Sequence, residues 1–168
     1  MIVIADTTPI SHLILVGRAD FLRELYGEVI IPSGVLHELQ NQAAPKKIRD
    51  WIGRRPSWLD VRRVLVPNDP TLFIVDRGER EAIALAEKLG ADLLLMDDRS
   101  GRREAQRRGL MVTGTLTVLY LAAERGLETD FPGAVQQLQL TGFRASPAVI
   151  EYFLNRHAQR AHRLGKKR

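Results

Sequence analysis

Predicted strands and helices alternate along most of this chain, and this alternation restricts the folds that it can adopt. Buried strands are predicted from short apolar runs at residues 1–5, 28–31, 61–66, 92–96 and 111–113. Helical segments lie between them, and many begin near a proline or end at a glycine. Because this alternation is typical of parallel sheets covered by helices, we predict a three-layer α/β/α fold with a mostly parallel central sheet.

The C-terminal part of the chain is predicted to cover that sheet rather than to form a second domain. We therefore expect one domain over residues 1–168, with a C-terminal helix and basic tail at 147–168. The apolar side chains of Ile150, Phe153 and Leu154 predict that the helix docks on the body. Five basic residues are expected to project into solvent: Arg160, Arg163, Lys166, Lys167 and Arg168.

The chain is basic, with a formal net charge of +5 and a pI near 10.0, and this favours a polyanionic partner. The segment from Arg156 to the C-terminus holds six Lys or Arg and no acid. A second cluster is opposed by Glu104 alone and contains Arg99, Arg102, Arg103, Arg107 and Arg108. Each cluster is either a solvated surface or a nucleic-acid contact, and the second directly follows two aspartates.

Several other classes of function lack support in the sequence. There are no cysteines, so disulfides and cysteine-ligated zinc are excluded and a reducing, cytoplasmic location is expected. No apolar run approaches the length of a membrane span, and the N-terminus does not resemble a signal peptide. Glycine-rich phosphate loops and metal-binding histidine pairs are also absent from the sequence.

Carboxylates follow two of the predicted strands directly. Asp6 follows the first strand, and Asp97 and Asp98 follow the strand at 92–96. Ligands bind beyond the carboxyl ends of strands in open α/β sheets, and acids gathered there repel one another unless a cation holds them. The pattern therefore predicts a divalent metal site. Asp6 has an alternative as a turn or helix-cap residue, and we expect one of Asp97 and Asp98 to cap the next helix while the other binds the metal.

Two glutamates on predicted helices are further candidates. Glu79 begins the apolar stripe of the helix 79–89, whereas Glu81 is expected to point elsewhere. The helix dipole explains an acid in the first turn but not its place on the apolar stripe. Glu38 lies at the border of the buried side of the helix 32–42, where a solvated flank is its alternative role.

Four segments together resemble the PIN-domain nucleases, in particular small prokaryotic proteins related to VapC toxins. The motifs are I-V-I-A-D-T-T-P at 2–9, V-L-H-E-L at 35–39, G-E-R-E-A-I-A-L-A at 78–86 and G-A-D-L-L-L-M-D-D at 90–98. The resemblance covers about residues 1–125. Two departures are glutamate at 79, where aspartate is commoner, and Met96, where a small hydroxyl residue often stands.

The resemblance implies the identity of the functional residues. It assigns catalysis and metal binding to Asp6, Glu38, Glu79 and Asp97, with Asp98 as a further metal ligand. Oxygen ligands of this kind suit Mg²⁺ or Mn²⁺. Contacts with nucleic acid are expected from a set near the acids: Thr7, Arg99, Arg102, Arg103 and Arg107.

The activity that the resemblance implies is metal-dependent endoribonuclease cleavage of RNA, with DNA as a possible substrate. It also implies a toxin that is held by a cognate antitoxin protein and that forms a homodimer. The apolar helices at 10–16 and 45–52 are candidate dimer faces, although core packing is their default role. The alternative function is a non-catalytic PIN-like module that binds nucleic acid or protein.

Overall fold

A computed structural model describes residues 1–165 of the chain. Five parallel strands form one sheet in the order β3-β2-β1-β4-β5. The strands are β1 (Val3–Ala5), β2 (Val29–Pro32), β3 (Leu59–Arg62), β4 (Leu93–Leu95) and β5 (Val112–Thr113). Helices cover both faces of the sheet, so the predicted three-layer α/β/α fold is confirmed.

The helices follow the predicted order with small shifts at their ends. They are α1 (Thr7–Leu15), α2 (Phe21–Tyr26), α3 (Ser33–Gln40), α4 (Lys46–Gly53), α5 (Arg77–Leu89), α6 (Arg99–Arg107), α7 (Thr115–Glu124), α8 (Phe131–Leu140) and α9 (Pro147–Gly165). A 3₁₀ turn at Pro70–Ile74 lies in the turn-rich segment before α5. Among the helices described, none combines the length and apolar character that a membrane crossing requires.

The central strands are buried on both faces because their side chains alternate between two cores. Val3 and Ala5 of β1 pack on one face with α1, α7 and α8, whereas Ile4 packs on the other face with α5. The same alternation holds along β2, where Ile31 and Ile30 face opposite cores. This continuous burial explains why the strands appear in the sequence as unbroken apolar runs.

The third strand lies earlier than predicted. The expected strand at 61–66 is wrong in its position, because β3 begins at Leu59, which pairs in register with Val29 of β2. Val64 and Val66 pack instead at the edge of the core beneath α5. The apolar character of these two valines therefore reflects packing and not strand pairing.

The candidate dimer helices are part of the core. Ile10 and Leu13 of α1 are fully buried. Ile48 and Ile52 of α4 are each only 3% exposed. Their default role in core packing is confirmed for these side chains. A homodimer stays a prediction.

The C-terminal helix docks as expected. Ile150, Phe153 and Leu154 of α9 pack against the core, and the ring of His157 lies 5.0 Å from that of Phe131. Arg160 is exposed, as predicted, and its guanidinium also lies 2.5 Å from a carboxylate oxygen of Glu124. Lys166, Lys167 and Arg168 lie outside the described residues.

Candidate active site

The predicted strand-end acids meet at the point where the strand order reverses. The chain adds β2 and β3 on one side of β1 and then crosses to add β4 on the other side. Asp6 follows β1, and its backbone N–H donates to the carbonyl of Leu95, the last residue of β4, at 2.9 Å. Asp97 and Asp98 come next along that neighbouring strand. The reversal therefore creates a crevice with acids on both sides, where α/β sheets bind ligands.

Asp6 is the deepest acid of this crevice, with only 2% of its surface exposed. It occupies the N-cap position of α1 but makes no side-chain capping bond. Its Oδ1 atom is buried and has no hydrogen-bond partner among the residues described. Burial raises the pKa of Asp6 well above its usual value; a hydrogen bond from the Thr7 backbone opposes this shift, and the charges of Glu79, Asp76 and Glu38 add to it. The capping alternative for Asp6 is therefore not supported.

Glu79 has both of the roles considered for it. It forms a capping box with Asp76: the backbone N–H of Glu79 donates to Asp76 Oδ1 at 2.9 Å, and that of Asp76 donates to Glu79 Oε2 at 3.2 Å. It also lies at the crevice, with 4% of its surface exposed. Burial raises the pKa of Glu79 to about 7, with further contributions from the charges of Asp76 and Asp98. At neutral pH this carboxyl is therefore close to its titration midpoint.

Glu38 extends from α3 toward the same crevice. The Thr7 hydroxyl donates a hydrogen bond to Glu38 Oε2. A Cβ at Gly78 would come within 2.7 Å of Glu38 Oε1, so the glycine provides the space that this carboxylate occupies. Thr7 was expected to contact nucleic acid, and that contact stays a prediction. The structure gives its hydroxyl the role of orienting Glu38.

The expectation that one of the two consecutive aspartates caps the next helix is confirmed, and the capping residue is Asp98. Asp98 caps α6 by accepting hydrogen bonds from the backbone N–H groups of Ser100 and Gly101 at 2.8 and 3.2 Å. Asp97 accepts from the backbone N–H and the hydroxyl of Thr115, at 2.8 and 2.6 Å, at the start of α7.

The surroundings of the two aspartates also differ. The Ser100 hydroxyl lowers the pKa of Asp98, whose charge contributes to the raised pKa of Glu79. Burial raises the pKa of Asp97, whose nearby charges are His12 and Arg102. Asp98 is therefore coupled to the crevice acids, whereas none of these acids is among the main influences on the pKa of Asp97. Metal binding by either residue stays a prediction.

The carboxylates fit a divalent cation by their chemistry. Within residues 1–165, no three acidic or histidine side chains converge closely enough to ligate one ion as they stand. The unpaired Oδ1 of Asp6 is nevertheless a buried acceptor without a donor, and no Lys or Arg is among the main influences on the pKa of Asp6 or Glu79. Hard oxygen ligands that lack a protein cation match the preference of Mg²⁺ or Mn²⁺.

Sequence reasoning missed two acids that support the site. Asp76 caps α5 and adds charge beside Asp6. Glu81, which was expected to point elsewhere, is 7% exposed, and its Oε2 accepts from the backbone N–H of Gly34 at 2.6 Å. This bond ties the start of α3 to α5, and α3 carries Glu38. The expectation for Glu81 is therefore wrong, because its partner lies 47 positions away in the sequence.

The predicted arginine cluster divides into two groups. Arg107 and Arg108 bind the buried carboxylate of Glu104, at 2.7 and 2.6 Å. In contrast, Arg99 and Arg103 form no hydrogen bond or ion pair within the described part of the chain, and Arg102 donates to the Met96 carbonyl at 2.9 Å. The contacts of Arg99, Arg102 and Arg103 with nucleic acid stay predictions, and Arg107 would first have to leave Glu104.

Comparison with known families agrees with this arrangement. A family model described as a PIN domain matches residues 2–159. The match therefore extends beyond the region near residue 125 where the sequence motifs end, and it includes most of α9. The chain belongs to the PIN-domain family, whose members are generally metal-dependent nucleases. None of the curated proteins compared with the chain matches it.

Proposed function

We propose that this protein is a Mg²⁺- or Mn²⁺-dependent endoribonuclease. The observation that carries the proposal is the buried and unpaired Oδ1 of Asp6 in a crevice where Glu79 has a pKa near 7. Such carboxylates destabilise one another unless a cation binds between them. A folded protein retains an arrangement of this kind where it serves a function.

Each residue of the crevice has a proposed role. Asp6, Glu79 and Asp98 hold the metal, and Glu38 completes the site from α3. A divalent ion, when bound, supplies an activated water and neutralises charge on the phosphodiester. Thr7 fixes the orientation of Glu38 through its hydroxyl. We retain Asp97 as a weaker candidate ligand, because both of its oxygens already accept hydrogen bonds from Thr115.

We also propose the biological setting that the family resemblance implies. The protein would act in the cytoplasm as a toxin of the VapC-related subgroup, held inactive by a cognate antitoxin, and would form a homodimer. Support comes from the PIN family match and the basic composition. Light scattering after size exclusion tests the dimer, and a single species with the mass of one chain at micromolar concentration would contradict it.

Cleavage of RNA with and without metal tests the activity. The purified protein is incubated with single-stranded RNA, or with DNA of the same sequence, in Mg²⁺, Mn²⁺ or EDTA. We expect RNA cleavage that requires metal and falls at least 100-fold in Asp6→Asn, because the deepest carboxylate is lost. Asp50→Asn is the matched control, since Asp50 is an exposed residue of α4 that pairs with Lys46.

Two outcomes would contradict parts of this proposal. Cleavage that survives both EDTA and Asp6→Asn would exclude the metal-dependent mechanism. Faster cleavage of DNA would change the substrate but not the site. A protein that binds RNA and never cuts it would favour the alternative of a non-catalytic binding module.

A further inference from the structure

A groove of about 740 Å³ opens beside the acid crevice, between α6 and the start of α9. One wall is basic and contains Arg99, Arg102 and Arg103 of α6. The opposite wall is the segment before α9, with Phe143 and Arg144, and its floor includes apolar side chains of α7 and α9. Asp97, the residue before Asp98, is among the residues that line the groove.

The arginines of this groove are available to a ligand. Arg99, Arg103 and Arg144 form no hydrogen bond or ion pair among the residues that the structure describes, and all three are exposed. Arg107 and Arg108, one turn further along α6, are bound to Glu104. On the side of α6 that faces the groove, Asp97 is therefore the one acid among the described lining residues, and it lies near Arg102. A fourth arginine faces the groove from a segment distant in sequence.

The aromatic and apolar lining gives the groove a second property. Phe143 is half-buried and packs edge-to-face with His12 at 5.4 Å between ring centroids. Leu116, Val149 and Phe153 line the same groove. Phosphates are bound by arginines, whereas unpaired bases are bound by aromatic and apolar surfaces. A volume of this size is in the range of pockets that hold small molecules or single nucleotides.

We infer that the groove between α6 and α9 binds a single-stranded segment of nucleic acid and leads it into the acid crevice. One base lies against Phe143 and the apolar floor, and the flanking phosphates contact Arg99, Arg103 and Arg144. This assigns a binding role to the segment before α9, which the sequence motifs do not include. The inference rests on the proposed function only in stating that the bound nucleic acid leads into the acid crevice, since binding itself requires no cleavage.

Binding of a fluorescein-labelled ten-nucleotide RNA, measured by anisotropy in EDTA, tests this site. EDTA prevents cleavage, so a failure of the proposed activity and a failure of this site are distinguishable. We expect Arg103→Gln and Arg144→Gln each to weaken binding several-fold. Each should also reduce the slope of log affinity against log salt by about 0.7, because one phosphate contact is lost from a single strand. Arg23→Gln is the matched control, since Arg23 is an exposed arginine of α2 that does not line the groove, and it should leave the slope unchanged.

The aromatic contact is tested separately. Phe143→Leu retains an apolar side chain but removes the ring, and we expect it to weaken single-strand binding about tenfold with no change in salt slope. A duplex of the same sequence should bind more weakly and should not respond to this change. Circular dichroism and the urea midpoint establish that each variant is folded.

Three results would overturn the assignment. The first is an equal loss of affinity in Arg23→Gln and Arg144→Gln, which would indicate a diffuse basic surface. The second is unchanged binding in the double variant Arg103→Gln with Arg144→Gln. The third is an acidic peptide of matched charge that binds as tightly as the RNA and is displaced by the same variants, which would make the groove a protein-docking site.

Discussion

Two glutamates of this protein are equally buried and yet have opposite acidities. Glu79 and Glu104 each expose 4% of their surface. The pKa of Glu79 is raised to about 7, first by burial and then by neighbouring acids. The pKa of Glu104 is lowered to about 2, because Arg107, Arg108 and Thr71 all donate hydrogen bonds to it. Burial dominates at Glu79, which has no basic partner among the described residues, whereas the arginine partners outweigh burial at Glu104.

The comparison separates a structural acid from a functional one. Glu104 stabilises the contact between α6 and the 3₁₀ turn before α5, since Arg108 also binds Asp69 at 2.6 Å and Glu87 at 3.0 Å. Glu79 and Asp6 have no such cations, and their charge is left for something outside the chain. A buried acid whose charge the protein does not neutralise is a better indicator of a functional site than burial itself.

The largest change in stability should come from removing an arginine that binds Glu104. We expect Arg108→Met to lower the free energy of unfolding by about 3 kcal/mol, because it leaves Glu104 buried with one arginine fewer. Urea denaturation at pH 7 measures the change. Arg107→Met is the control, since the Arg107 side chain is 57% exposed, and its loss should cost much less than that of Arg108. Equal losses of unfolding free energy in the two variants would contradict the conclusion that Arg108 contributes more than Arg107 to stabilising Glu104.

Neutralising Glu79, which has no basic partner in the described part of the chain, should instead raise the free energy of unfolding. The folded-state pKa of Glu79 is raised, so its carboxylate form destabilises the fold as pH rises through about 7. Without metal, we expect Glu79→Gln to match the wild type at pH 5 and to gain roughly 2 kcal/mol at pH 8. Thermal or urea unfolding across this pH range measures it.

Glu104→Gln provides the matched contrast for that experiment. The pKa of Glu104 is lowered, so its stabilising contribution is present above its usual pKa and is lost as pH falls toward 2. The variant should therefore be less stable than the wild type at pH 8. A gain in stability from Glu104→Gln, or a loss from Glu79→Gln, would reverse the assignment of the two acids.

The smallest effect should come from Asp97, whose partners are mostly neutral. Thr115 is fully buried, and its hydroxyl donates to Asp97 Oδ2 at 2.6 Å. We expect Thr115→Val to cost about 1 kcal/mol, the typical contribution of one hydrogen bond. The urea midpoint measures it, with Thr117→Val on the same helix as control. No change in Thr115→Val would show that the backbone N–H of Thr115 is sufficient to hold Asp97.

The sequence predicts the sheet and the crevice because both depend on local patterns. Apolar runs of four or five residues predict buried strands, and acids directly after them predict the shared edge. Glu79 was identified because its position coincides with the apolar stripe of α5. These features depend on residues that are close together in the sequence, so the sequence alone is enough to predict them.

The partners of the acids were not predictable because they come from distant parts of the chain. Glu81 bonds the N–H of Gly34, and Arg108 reaches Asp69 across 39 positions. The close approach of Gly101 to Glu79 is also tertiary: a Cβ at Gly101 would lie 3.1 Å from Glu79 Cδ. A glycine inside a predicted helix was the one local signal of such an approach.

Metal binding measured as thermal stabilisation tests the central claim most directly. The claim is that Asp6 and Glu79 form a cation site because no group of the protein neutralises them. At pH 8, Mn²⁺ should raise the Tm of the wild type and of Asp50→Asn in a saturable manner, and should have little effect on Asp6→Asn. The stabilisation should shrink at pH 6, where Glu79 is mostly protonated. Equal Mn²⁺ stabilisation of Asp6→Asn and Asp50→Asn would contradict the account.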